Sequence, residues 1–387
     1  MTYPIRTHFK KLLPCWFKRF LRFLRRYFFV GFDLLAGWVF WGLSLFFQRN
    51  KKVNPGIKKI LLIRLDRIGD MVCSTATLRA FRQTFVDSQI YLLLNEYTKD
   101  IVINNPCLDH ILVDKKDKLE RDFDLAAVLH PGFRANLLAY LSGARVRVGF
   151  SGWGGDFFLT RKVVDDRIIH PRHEVLFCLE VAKAAGANVT DLSLEVSLTK
   201  EGEGFAEEFL RQNDIDHNTP LVVIHPGADQ PYKRWRRDGF AQVADRLIEE
   251  KKAKVVVIGH KEEETLLKEI ALLMHNIPIL VYGVRLTKVI SLIQRAWVFL
   301  GNSSGPMHIA AALSIPVVAI FGNTHPLDSV TSWRPWGEGH IVVQKGLGCY
   351  NCHPSDCRDY RCLNEITADE VYAAVCQQLD KRKANDY

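Results

Sequence analysis

Nine cysteines in 387 residues are too few for a disulfide framework, and with 48% apolar and 25% charged residues the chain is neither a small cross-linked scaffold nor disordered. Five of them, Cys15, Cys73, Cys107, Cys178 and Cys376, stand singly in apolar or helical stretches, as reduced cytosolic thiols do. G-x-G-x-x-G is missing after the strands where a dinucleotide would bind, and G-x-x-x-x-G-K-[ST] is missing altogether, so dehydrogenase and P-loop NTPase functions lose their main support. Acidic residues are nearly absent from the start of the chain: residues 1–59 hold 13 of the 52 Lys and Arg but 1 of the 43 Asp and Glu. The net charge of +9 therefore belongs to one terminal segment, and the remainder, with 39 basic against 42 acidic residues, offers no general nucleic-acid-binding surface.

That terminal segment carries its own pattern. Placed on a helix at ~100° per residue, Trp16 to Phe29 puts Phe17, Phe20, Leu21, Leu24 and Phe28 on one side, flanked by Trp16, Phe23 and Tyr27. Lys18, Arg19, Arg22, Arg25 and Arg26 fall on the other side, as in a helix lying in an anionic membrane interface. The run from Tyr27 to Phe47 has the ~20 residues a bilayer span needs, but it contains Asp33 and three glycines, and no small-residue cleavage site follows it. Interfacial attachment is the expectation, with a span or re-entrant hairpin, or a helix packed on the body, as the alternatives. Asn54, Pro55 and Gly56 then lie in a polar linker.

From residue 60 short apolar runs alternate with amphipathic stretches. Ile60–Leu65, Gln89–Leu94, His110–Val113 and Leu125–Leu129 read as buried parallel strands, with helices Met71–Phe85 and Arg134–Leu141 between them. A second series has strands at Leu221–His225, Lys254–Gly259, Trp297–Gly301 and Pro316–Phe321, and helices at Arg237–Glu250, Glu262–Met274, Leu286–Gln294 and Gly305–Leu313. The expected fold class is α/β, two doubly wound units over residues 58–200 and 201–387 behind a membrane-associating segment, 1–57, with the boundary in the polar stretch Thr190–Pro220. Ligands of such sheets bind beyond the carboxyl ends of the strands, so the site is expected in the cleft between the halves.

Three turns there carry chemistry. The first strand ends in Arg64-Leu65-Asp66-Arg67-Ile68-Gly69-Asp70, with a helix expected from about Asp70, where a carboxylate is either an N-terminal cap or, beside a glycine facing the cleft, a reactive group. The second half opens with His225-Pro226-Gly227-Ala228-Asp229 and the cations Lys233, Arg234, Arg236 and Arg237, which suit a diphosphate. Ser303, Ser304 and Gly305 join strand to helix ahead of His308, and exposed amides there would hold an anion. Cys349, Cys352, Cys357 and Cys362, with His353 among them, are enough ligands for a structural zinc, or else remain reduced, packed or disulfide-linked thiols. His130, Arg134, His170 and His173 stand near strand ends, and Arg134 is taken as a candidate acceptor contact.

Together these segments resemble glycosyltransferase family 9, the heptosyltransferases of lipopolysaccharide core synthesis. The resemblance rests on ILLIRLDRIGDMVCSTATLRAF, VVIHPGADQPYKRWRRDGFAQVADRL, FLGNSSGPMHIAAALSIPVVAIFGNTHP and CYNCHPSDCRDYRCLNEIT. It implies a GT-B architecture of two Rossmann-like domains, an ADP-activated heptose held by the C-terminal half and a lipid-linked saccharide acceptor held by the N-terminal half. It also implies inverting transfer without a catalytic metal; attachment at the cytoplasmic face of the bacterial inner membrane is expected from the segregated charge and the aromatic helix. By position Asp70 matches the family's base, Lys233 its phosphate-contacting lysine, Ser304, Gly305 and His308 its nucleotide-sugar turn, and Glu262 or Glu263 its ribose contact. Ser303 stands where many members have Asp, which leaves donor-sugar identity open to another nucleotide-activated sugar, or to a non-catalytic binding protein on the same fold. A carboxylate stabilised by a helix dipole is a weak base, so a late and partial contribution is expected of Asp70.

Overall fold

The computed structural model describes residues 56–322, 324–349, 352 and 357–385; residues 1–55 of the expected membrane-associating segment, and His353, lie outside the described residues. The first half runs β1 (Lys59–Arg64), α1 (Ile68–Thr84), β2 (Gln89–Leu94), β3 (His110–Val113), β4 (Leu125–Val128), α2 (Phe133–Leu141), β5 (Val146–Phe150), β6 (Arg161–Val163) and α3 (Glu174–Ala185). The second runs α4 (Lys200–Gln212), β7 (Leu221–His225), α5 (Arg237–Lys251), β8 (Lys254–Gly259), α6 (Glu264–Leu273), β9 (Ile279–Tyr282), α7 (Leu286–Gln294), β10 (Val298–Asn302), α8 (Gly305–Ala312), β11 (Val317–Phe321), β12 (Ile341–Gln344) and α9 (Ala368–Asn385).

Each half is one six-stranded sheet, ordered β3-β2-β1-β4-β5-β6 and β9-β8-β7-β10-β11-β12. Every neighbouring pair is parallel. The two orders are the same, and in each the strand direction of travel reverses at one crevice, between β1 and β4 and between β7 and β10. Helices cover both faces, so the central strands are apolar throughout: Ile60 to Ile63, and all of β7, β10 and β11, are buried. Outer strands β5, β6, β9 and β12 escape sequence reading because they are short and half-buried, and two of them contain Arg.

Helix α4 packs on α7, so the chain passes between halves ahead of Lys200. Gly202 permits this approach: a Cβ there would stand 2.6 Å from the Thr287 carbonyl oxygen. The halves themselves meet where α1 and α8 touch by their N-termini. A Cβ on Gly69 would lie 2.9 Å from His308 Cδ2, and one on Gly305 2.9 Å from Ile68 Cβ. Flanking this contact, His173 Nε2 donates to the Arg334 carbonyl (2.8 Å), Trp336 Nε1 to the Leu192 carbonyl (2.8 Å), and Arg285 forks onto Asp100 (2.9 and 3.1 Å).

Candidate active site

A cleft of about 850 Å³ opens between the halves at the carboxyl ends of β1, β7 and β10, the ends that face the two crevices. From the first half Asp66, Gly69 and Asp70 line it, and from the second Lys233, Glu263, Ser303, Ser304, Gly305 and His308. The sequence-derived residues therefore gather in one place, with two departures. Glu262 is exposed and paired with His260, so of the two glutamates it is Glu263 that enters the cleft. Arg134 does not line the cleft: its guanidinium forks onto Asp114 at 2.7 and 2.9 Å, which occupies it as a structural ion pair.

Helix α1 begins at Ile68 rather than at Asp70, because Asp70 is the third helical residue of a capping box: its carboxylate accepts from the Arg67 amide (3.3 Å). Its other oxygen accepts from Arg64 Nη2 (3.1 Å). Arg64 ends an otherwise apolar strand and is 1% exposed, with Nη2 also 3.0 Å from Glu174 Oε1, Nε 3.6 Å from Asp66 and Nη1 on the Leu129 carbonyl. Burial pushes the Asp70 carboxyl up to about 6 against the pull of Arg64, with Asp66 and Glu174 adding repulsion. Desolvation thus leaves a carboxylate whose proton affinity is higher than a helix terminus alone would suggest.

Across the cleft, Lys233 closes a 3₁₀ turn (Pro231–Lys233) and places Nζ 2.7 Å from Asp328 Oδ1; Tyr232 donates to the other oxygen at 3.3 Å. Buried Asn302 ties the end of β10 to the neighbouring loop, accepting from the Trp235 amide (3.1 Å) and donating to the Pro226 carbonyl (2.7 Å). That fixes Ser303 and Ser304 at the start of α8, whose first-turn amides have no partners within the helix, Pro306 supplying none. His225, at the end of β7, bridges Ser304 Oγ (Nδ1, 3.0 Å) and Glu263 Oε2 (Nε2, 3.3 Å). Burial alone would raise Glu263, but His225 and the His260 amide hold its carboxyl down to about 2, so it is an anion able to accept from paired hydroxyls. Gly227 makes room for it, since a Cβ there would overlap the carboxylate.

His308 lines the cleft yet is enclosed, its ring 3.8 Å from Cys73 Sγ and edge-on to Trp333; burial holds it near 3, neutral. His173 is likewise neutral, pushed by burial down to about 4; Nδ1 accepts from the Val175 amide at the start of α3, so Nε2 carries the proton donated to Arg334. His130 is buried 3.8 Å from Asp66, and His170 is exposed. Sequence reasoning passed over Glu174, Arg167 and Asp328, which lie outside the quoted segments; the signal available was Arg64, a charge following four apolar residues at the end of a strand, which demands buried carboxylates.

Cys349, Cys352, Cys357 and Cys362 line a separate cavity of about 200 Å³ behind Tyr232. Among the described residues no three His, Cys, Asp or Glu side chains are grouped to hold a metal ion, and these cysteines are free thiols. The described residues also include no helix long and apolar enough to cross a membrane.

Comparison with known proteins bears on the family and the fold. The family model for glycosyltransferase family 9 (heptosyltransferase) matches residues 115–362. Lipopolysaccharide heptosyltransferase 3 of Escherichia coli K12 is 27% identical over 331 residues, covering 79% of this chain and 94% of its own. The crystal structure of the family 9 glycosyl transferase from Veillonella parvula superposes with a TM-score of 0.74 at 23% identity, over 86% of this chain and all of that one. The structure of E. coli ADP-heptose LPS heptosyltransferase II gives 0.69 at 22% identity, over 84% and 99%.

Proposed function

The chain belongs to glycosyltransferase family 9 and is a glycosyltransferase, and on that footing we propose that it moves a heptose, with inversion, from an ADP-activated donor to a lipid-linked saccharide of the lipopolysaccharide core. The observation that carries this reading is a carboxylate of raised proton affinity facing, across one cleft, a lysine and a helix N-terminus. Asp70 accepts the proton of the acceptor hydroxyl as that oxygen attacks the anomeric carbon from the first-half side. Lys233 and the α8 amides take up the charge that develops on ADP as the glycosidic C–O bond breaks on the opposite side. Glu263 receives the ribose hydroxyls, and the first-turn amides of α8 beside Ser304 donate to a phosphate oxygen. The positive charge that a divalent cation would otherwise bring is supplied by Lys233 and the helix terminus, so turnover is expected to persist in excess EDTA.

The deciding experiment incubates the protein with ADP-heptose and a panel of core acceptors. Heptosylated acceptor with equimolar ADP is expected; donor binding without ADP release under every acceptor would leave a binding protein, and faster turnover of another nucleotide sugar would replace the donor. Lys233→Ala is expected to reduce kcat/KM for the donor roughly 10-fold or more while changing acceptor KM by less than about twofold. Donor KM and kcat both at wild-type values would remove Lys233 from the site.

The same reading puts the enzyme on the cytoplasmic leaflet of the inner membrane, held by residues 1–50. Eight Lys and Arg between Arg6 and Arg26 contribute ~1 kcal/mol each near an anionic surface before screening, and the aromatic face adds burial. Deleting residues 1–50 is expected to move the protein to the soluble fraction with activity on a soluble acceptor analogue retained. A truncated protein that stays with membranes, or folds without that activity, would count against it.

A further inference from the structure

Beneath Asp70 lies a row of buried charges that the transfer scheme above does not use. Glu174, the first residue of α3, is 5% exposed and holds two guanidiniums apart. Its Oε1 accepts from Arg64 Nη2 at 3.0 Å, the nitrogen that also reaches Asp70 at 3.1 Å. Its Oε2 accepts from Arg167 Nε at 3.2 Å; Arg167 lies between the rings of Phe150 and Phe177, 4.3 and 4.4 Å from their centres, with Nη1 2.9 Å from Asp165. Two guanidiniums thus serve four carboxylates, Asp66, Asp70, Asp165 and Glu174. The other groups around Asp70 include Cys73 and Cys178, protonated by burial, the Tyr97 phenol, His130 against Asp66, the Arg67 amide and its guanidinium paired with Asp229, neutral His308 at Gly69, and Lys233 across the cleft.

We infer that Glu174 is a positioning residue for proton transfer: it anchors Arg64 under Asp70 while sharing the guanidinium nitrogen that Asp70 would otherwise have to itself. The inference rests on the reading of Asp70 as the base. A base needs to be held in one orientation and yet keep its affinity for a proton, and an undivided Arg–Asp pair secures the first at the expense of the second. A carboxylate on the far side of the guanidinium reconciles them. It fixes the cation by hydrogen bonds and cancels part of its charge.

The signs of the outcomes are opposite for two substitutions. Glu174→Gln removes a negative neighbour and leaves Nη2 to Asp70, both of which favour the ionised carboxyl. The acid limb of the kcat/KM profile, expected near pH 6 in the wild type, should move down by about one pH unit, and plateau kcat should fall roughly 3- to 10-fold as the base weakens. Arg167→Gln leaves Glu174 on Arg64 alone, draws that cation off Asp70, and should move the limb up. Glu174→Asp should bring it back toward the wild-type position. A role confined to stability would lower Tm in these variants without moving the limb. The limb unmoved in folded Glu174→Gln, or, should that variant not fold, unmoved in Arg167→Gln, overturns this inference alone. A wild-type profile without an acid limb, or wild-type turnover in Asp70→Asn, removes the reading of Asp70 and the inference with it.

Discussion

Asp70→Asn is expected to lower kcat by about 10²-fold or more with donor KM nearly unchanged, the largest loss of any single substitution in the cleft. Asparagine keeps the shape and the oxygen that accepts from the Arg67 amide, so the start of α1 is preserved while the proton acceptor is lost. The fold should not suffer. The wild-type carboxyl sits at about 6, above its ordinary value, so its ionised form costs stability at pH 8 and that cost is relieved as pH falls through 6. A Tm at pH 8 equal to or above wild type, together with the lost turnover, separates chemistry from misfolding. Near-normal turnover would return Asp70 to a capping role.

Arg64→Met is expected to be the largest structural loss, about 3–5 kcal/mol by denaturant unfolding, because it breaks a buried ion pair by removing one partner. Glu174, Asp70 and Asp66 would then face one another with Arg167 as the remaining buried cation, and the Leu129 carbonyl would lose its donor. Asp70, already raised by burial, loses the cation that draws it down and holds its proton more tightly folded than unfolded, so the deficit should shrink as pH is lowered from 8 toward 5. A deficit below about 1 kcal/mol, or one independent of pH, would show that the cluster is not held as described.

The central strands were legible in the sequence because a parallel strand covered on both faces must be apolar along its whole length, as ILLI and LVVI are. The cleft was legible for a related reason: the ends of those strands carry the glycines, hydroxyls and cations that a crevice can use, and Asp70, Lys233, Glu263 and Ser304 do meet there. Helix α3 was less so, since its buried face includes Glu174 and Cys178 and its identity depends on Arg64, more than a hundred residues earlier. Arg134 is placed away from the cleft lining for the converse reason. Nearness to a strand end says nothing about a partner such as Asp114 waiting on the other side. The proton affinity of Asp70 was out of reach as well, because a helix terminus is visible in sequence and desolvation by burial in the folded chain is not.

The glycine contact between α1 and α8 also has a mechanical consequence, should the halves move. Gly69 is the residue before Asp70, and Gly305 follows Ser304, so this close approach of the halves is adjacent to the cleft residues rather than at the periphery. A rocking motion that preserved this contact would sweep the outer rim, where Arg67 pairs with Asp229 across the mouth, through a wide arc while displacing Asp70 and Ser304 very little. A large lipid-linked acceptor could thus be admitted and released by leverage, with the alignment of base and leaving group kept at the still centre. A β-carbon at either glycine would shift that centre itself.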